Sequence, residues 1–268
     1  MSLTSAEPTG LRYVFQPMFD RAGKMIAVEC LTRFTQVPGS TAITVEQFFS
    51  EASEELRARI LQEQIALVKS YQWWFQQNDV MVTINVDEAT LHLLNDDFIA
   101  DCVKTIGCLH FEVSEFSSTL VKRNPAIDAL GDKYSFWLDD FGAGYAGFGA
   151  LAMQSFRFIK MDKNLLWNLC DKKNGQQLMA SLLHYFSANH YQVIVEGIET
   201  QEHLTWLDNM PWFALQGLLW QEQSIEALTA GHSNANYLPV RPITNSIRFH
   251  YSIFPCAKAS CFIAWFYK

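Results

Sequence analysis

Apolar runs rich in β-branched and aromatic residues recur along the chain: LRYVFQPMF, MIAVECLTRF, VMVTINV, LHFEVSE, YSFWLDDF, FRFIKMD, YQVIVEGIE and FALQGLLW. Each has the length and composition of a strand. Between several of them lie amphipathic stretches of helical length, Val45 to Gln76, Glu88 to Ile106, Asn174 to Ala188 and Glu202 to Leu207. This alternation predicts parallel strands covered by helices. Eight strand candidates in a chain of 268 residues predict an α/β fold closed as a (β/α)8 barrel rather than an open sheet. Only Asp20 to Lys24 joins the first two runs, too short for a crossover helix, so they are expected to form an antiparallel hairpin, with one strand running against the rest.

Composition supports a sizeable core, since 49% of residues are apolar and 14% aromatic. The formal charge of −8, from 28 acidic and 20 basic side chains, argues against a partner that is a nucleic acid polymer, because gripping its backbone requires clustered Lys and Arg. The start, MSLTSAEPTGLR, has no basic region followed by an apolar one, and no later segment supplies the roughly 18 uncharged apolar residues of a membrane span, so a cytoplasmic chain is expected. The six cysteines lack C-x-x-C spacing and the seven histidines form no H-E-x-x-H pair, which leaves reduced thiols and no zinc signature. From Ala227 onward there is no Asp or Glu, and the end SIFPCAKASCFIAWFYK is apolar. Residues 231–268 therefore read as a tail of different character, 11–230 as one domain and 1–10 as an extension.

The acidic residues fall where strands close. Glu29 ends MIAVE, Asn85 ends VTIN, Glu112 lies in HFE, Asp139 and Asp140 end FWLDD, and Glu196 ends VIVE. In a parallel barrel such ends converge on one face. Several carboxylates can share a partly buried cavity only if cations offset them. A donor set of Glu, Asp and amide oxygens without His or Cys selects hard ions such as Mg²⁺ or Mn²⁺, and adjacent Asp139 and Asp140 can serve two of them. Lys160, charged inside the apolar run FRFIKMD, is expected to face the same cavity and to position or deprotonate a water. A single acid after a strand is commonly an N-cap or turn residue; the repetition across five strand ends is what carries the reading.

Gly142-x-Gly144-x-x-Gly147 outlines a dinucleotide-binding turn, and Asp162 follows at about the usual spacing of 20 residues. Against that reading stand the two carboxylates just before it, which would repel a pyrophosphate, and its distance from the first strand. The alternative is a loop needing small residues to close over a metal site.

The ordered set Phe15-Gln16-Pro17, Glu29-Cys30-Leu31-x-Arg33, Asn85, Glu112-x-x-Glu115, Asp139-Asp140-Phe141-Gly142-x-Gly144-Tyr145, Ile159-Lys160, Glu196-Gly197-x-Glu199-Thr200 and Gln216-Gly217 resembles the EAL-domain family of cyclic di-GMP phosphodiesterases, over roughly residues 11–230. The resemblance implies a modified TIM barrel with one antiparallel strand, two Mg²⁺ or Mn²⁺ ions, and hydrolysis of cyclic di-GMP to linear pGpG. It implies that Glu29, Asn85, Glu112 and Asp139 ligate one metal and that Asp140 helps bind the second. Lys160 and Glu196 would act on the water, Gln16 and Arg33 would contact substrate, Gln216 would help at the site, and Glu115 would order the loop after Asp140.

With no room for a cyclase, photoreceptor or receiver segment, the chain looks like the stand-alone bacterial members, some of which control motility or fimbriae. A homodimer is compatible with the resemblance, though none of these residues requires it. The departures are Glu-Cys-Leu in the signature, Ala143, Ala146 and Gly147 in place of hydroxyl-bearing loop residues, and Leu-Leu-Trp-Gln-Glu after Gln216-Gly217. A receptor that binds cyclic di-GMP without cleaving it, or a scaffold that binds another protein, are the competing readings. Silent relatives usually lose metal ligands or the lysine, and here none of those positions is missing.

Overall fold

The computed structural model describes residues 10–35, 43–114, 125–144, 147–153 and 156–231. Its centre is a closed barrel in which eight strands pair in chain order. They are β1 (Leu11–Phe19), β2 (Met25–Phe34), β3 (Met81–Val86), β4 (Leu109–Ser114), β5 (Phe136–Phe141), β6 (Phe158–Met161), β7 (Gln192–Val195) and β8 (Ala214–Gln216). All eight apolar runs became strands. β1 runs antiparallel to both of its neighbours, β2 and β8, and every other pair is parallel. The hairpin between β1 and β2 closes on Asp20, whose Oδ1 accepts from the backbone N–H of Ala22 and Lys24 at 2.8 and 2.9 Å.

Helices are more broken than the periodicity suggested. The stretch Val45 to Gln76 divides into Val45–Glu51, Glu54–Ser70 and Gln72–Asn78. The breaks have local causes: Ala52 and Ser53 are extended, and the Ser53 side chain caps the second helix by accepting from Leu56 N–H. Glu88 to Ile106 likewise divides into Glu88–Leu91, a 3₁₀ turn His92–Asn95 and Asp97–Thr105. Helices Lys163–Cys170 and Ile225–Ala230, not anticipated from periodicity, are announced by the capping residues Asp162 and Ser224. The glycine-rich segment is a loop only in part, since Gly147–Met153 is helical. Among the described residues, no helix is long and apolar enough to cross a membrane.

The barrel interior is layered. Its floor is the apolar cluster Met18, Ala27, Trp137, Phe158, Ile194 and Ala214, with the Trp137 and Phe158 rings stacked at 4.3 Å. Side chains two residues apart on a strand share a face. The residues two positions up from that floor are therefore Glu29, Asp139, Lys160, Glu196 and Gln216, and on the reversed strand β1 Gln16. The polar site thus rests directly on a largely apolar layer, in which Trp137 Nε1 donates to His110 Nδ1 at 3.0 Å.

Gly217 follows β8 where a Cβ would strike the backbone N and O of Ile198. Backbone cannot swing aside as a side chain can, so Gly217→Ala is expected to cost at least about 2 kcal/mol. A denaturant unfolding curve with an unchanged midpoint would contradict that close approach.

Candidate metal centre

Glu29, Glu112 and Asp139 come from three different strands and are all buried. Each can place one carboxylate oxygen within 4.8 Å of the other two. Lys160 enters from β6, only 1% exposed, with its Nζ 3.0 Å from Glu29, 2.8 Å from Glu112, 3.2 Å from Asp139 and 2.8 Å from Glu196. One ammonium therefore faces four carboxylates. Glu29 is further fixed by Asn85 Nδ2, donating to Oε1 at 2.7 Å, and by Gln216 Nε2, donating to Oε2 at 2.8 Å. Gln216 is thereby turned toward Glu29.

Asp140 required a break in the pleat. Consecutive residues of a regular strand point to opposite faces. At Asp140, however, φ is +58° and the β5–β6 register shifts between Leu138 and Phe141. This left-handed residue is a local strain of the kind found at functional sites. Its carboxylate accepts from Ser114 Oγ at 2.7 Å, and it lines a cavity of about 440 Å³ together with Asn85, Arg33 and Ser114. Both acids of the pair thus face the barrel mouth.

The sequence-derived residues Glu29, Asn85, Glu112, Asp139, Lys160, Glu196 and Gln216 meet in one network. Gln16 lies half-buried opposite Glu29 in the β1–β2 register, and Arg33 stands higher on β2, paired with Glu222 at 2.6 Å. Glu115 and Ala146 fall outside the described residues. Ser114 and Glu222 were not singled out from the sequence. The signal for Ser114 was its place two residues beyond Glu112 on the same strand face; Glu222 closes the departing segment Leu-Leu-Trp-Gln-Glu, but nothing local ties it to Arg33, 189 residues away.

The electrostatics follow from this crowding. Burial pushes the Glu112 carboxyl up to about 8, and the negative Glu29 beside it adds to the rise. Burial likewise raises Asp139 well above its ordinary value, and also Asp140 and Glu196, with neighbouring carboxylates reinforcing each rise. Glu29 moves the other way: burial would raise it, but the Lys160 charge and the hydrogen bonds from Gln216, Asn85 and Lys160 outweigh that effect. Desolvation opposes the charge on Lys160, yet its four carboxylate neighbours hold it well above the usual lysine range.

A carboxyl raised on folding stabilises fully below its unfolded pKa and loses that contribution as pH rises through the folded value. For Glu112 the window runs from 4.5 to about 8. In a chelator the melting temperature is therefore expected to fall across this window, less steeply in Glu112→Gln. Parallel slopes for the two proteins would remove the inference.

The donor set suits a hard divalent cation. All ligand atoms are oxygens, and among the described residues Glu112 Oε1 is buried without a hydrogen-bond partner, while Asp139 Oδ1 faces the Lys160 ammonium at 3.2 Å. Five clustered carboxyl groups, counting Asp140, against one lysine leave a negative excess that either protons or divalent ions can offset.

Comparison with known proteins bears on the family and the fold. The cyclic di-GMP phosphodiesterase PdeH of Escherichia coli (strain K12) is 30% identical over 207 residues, 76% of this chain and 80% of PdeH. The putative anti-FlhC(2)FlhD(4) factor YdiV of the same organism is 25% identical over 219 residues, 80% of this chain and 92% of YdiV. A crystal structure of the EAL-like domain protein YdiV superposes with a TM-score of 0.73 at 23% identity, covering 82% of this chain and 95% of that one. The EAL domain matches residues 3–223, and the chain belongs to that family.

Proposed function

We propose that the protein is a metal-dependent phosphodiesterase that hydrolyses cyclic di-GMP to linear pGpG. The observation that carries this reading is the buried triad Glu29, Glu112 and Asp139, with carboxylate oxygens within 4.8 Å of one another. PdeH, by its name a cyclic di-GMP phosphodiesterase, supports the choice of substrate. Glu29, Glu112, Asp139 and the Asn85 amide would hold one Mg²⁺ or Mn²⁺, and Asp140 would help hold a second. When bound, such ions lower the pKa of a water and offset charge on the phosphodiester and the leaving oxygen.

The remaining steps belong to the chain's own side chains. Glu196, 2.8 Å from Lys160 Nζ, accepts the proton of the attacking water, and the adjacent ammonium keeps that carboxylate in place. Lys160 also supplies positive charge beside the scissile phosphate. Gln216 and Asn85 hold Glu29 in one orientation, as partners of a ligand do in metal sites. Arg33, on the wall of the cavity that Asp140 also lines, offers a charge-assisted contact to a phosphate oxygen, and Gln16 contacts substrate from β1. The apolar floor beneath excludes water from the far side.

The test is incubation of purified protein with cyclic di-GMP and Mg²⁺ or Mn²⁺, following pGpG by chromatography. Product that appears with metal and disappears with chelator is the expected result. A second reading, regulation by binding another protein without cleavage, is supported by the 25% identity to YdiV, by its name a putative anti-FlhC(2)FlhD(4) factor, and by the engagement of Arg33 by Glu222, which opposes a phosphate contact. It would show as absence of pGpG under all metal conditions.

A further inference from the structure

The guanidinium of Arg33 has each of its nitrogens on a protein acceptor. Nε and NH2 donate to Glu222 Oε2 at 3.1 and 2.6 Å, Nε reaches Oε1 at 3.3 Å, and NH1 donates to the carbonyl of Thr32 at 3.0 Å. Glu222 is held in place by its neighbour. Gln223 exchanges two backbone hydrogen bonds with Phe15 on β1, at 2.7 and 2.9 Å, and Trp220 packs on Phe19 with ring centroids 5.0 Å apart. The carboxylate is therefore presented to Arg33 by a segment pinned across the hairpin.

We propose that Glu222 is an affinity-setting residue of this site: it occupies the phosphate-binding fork of Arg33, and an incoming phosphodiester must displace it. This rests on the reading of Arg33 as a phosphate contact given above. A carboxylate and a phosphodiester compete for the same bidentate geometry. If Glu222 stays nearby after displacement, its charge still repels the ligand. Both side chains retain partial solvent access, 27% and 33%, so the pair is weaker than a buried one. Removing the competing charge is expected to tighten cyclic di-GMP about five- to tenfold. Because Glu222 opposes bound substrate and transition state alike, the gain belongs in KM and not in kcat.

The experiment measures the Kd of cyclic di-GMP, by calorimetry in chelator, for the wild-type chain, Glu222→Gln, Arg33→Ala and the double variant, and KM and kcat with Mg²⁺ for the wild-type and Glu222→Gln proteins. Glu222→Ala serves as a second removal of the carboxylate should the glutamine variant fail to fold. The inference expects a lower Kd and KM for Glu222→Gln at constant kcat, and no such gain when Arg33 is already alanine. An unchanged Kd, or an equal gain without Arg33, overturns the role of Glu222 and leaves the phosphodiesterase reading standing. No binding by any of the four proteins overturns the choice of cyclic di-GMP, and this inference with it.

Discussion

Replacing Lys160 by methionine is expected to reduce pGpG formation by at least about 10³-fold while leaving cyclic di-GMP binding largely intact. The same change leaves Glu29, Glu112, Asp139 and Glu196 around a side chain without charge. Removing one partner of a buried ion pair costs about 3–5 kcal/mol, because the other charge remains desolvated. For a chain of 268 residues this corresponds to a fall in melting temperature on the order of 10 °C in chelator. Added Mn²⁺ should recover most of that loss, since a divalent ion supplies the missing positive charge and binds only the folded site. Full activity of Lys160→Met, or stability indifferent to metal, would show that Lys160 is neither a reacting group nor the counter-charge of the cluster.

Glu29→Gln is expected to behave differently. Asn85, Gln216 and Lys160 all donate to Glu29, and glutamine keeps one acceptor oxygen while surrendering the charge. One fewer carboxylate near Glu112 relieves repulsion, but the glutamine NH2 meets a donor on one side or the other, so the chelated protein should lose some stability, though less than Lys160→Met does. Metal binding should suffer more. A lost anionic ligand in a hard-cation site is expected to weaken Mn²⁺ at least about tenfold and to reduce turnover by about 10³-fold or more. Calorimetric titration with Mn²⁺ separates the two effects, and unaltered Mn²⁺ affinity would exclude Glu29 as a ligand.

The barrel was legible because its strands are short apolar runs whose side chains alternate between two faces. The reversed first strand was legible because five residues cannot form a crossover. The convergence of Glu29, Glu112, Asp139, Glu196 and Lys160 followed from one rule, that parallel strand ends share a face. What the sequence hid depends on long-range or off-pattern geometry. The pleat alone sends Asp139 and Asp140 to opposite sides, and only the left-handed φ at Asp140 brings both to the mouth. The Arg33–Glu222 pair joins residues with no local relation. Val45 to Gln76 read as one helix because its apolar spacing continues through Ser53 and Tyr71, where capping and backbone torsion break it.

That these carboxylates form a metal centre is decided by soaking crystals in Mn²⁺ and measuring anomalous scattering at the manganese edge. The expected result is density enclosed by Glu29, Glu112 and Asp139, a second peak on the Asp140 side, and Lys160 Nζ drawn away from Glu29 toward Glu196. An anomalous map with no peak among these side chains, and Lys160 still bridging them at high Mn²⁺, would contradict it.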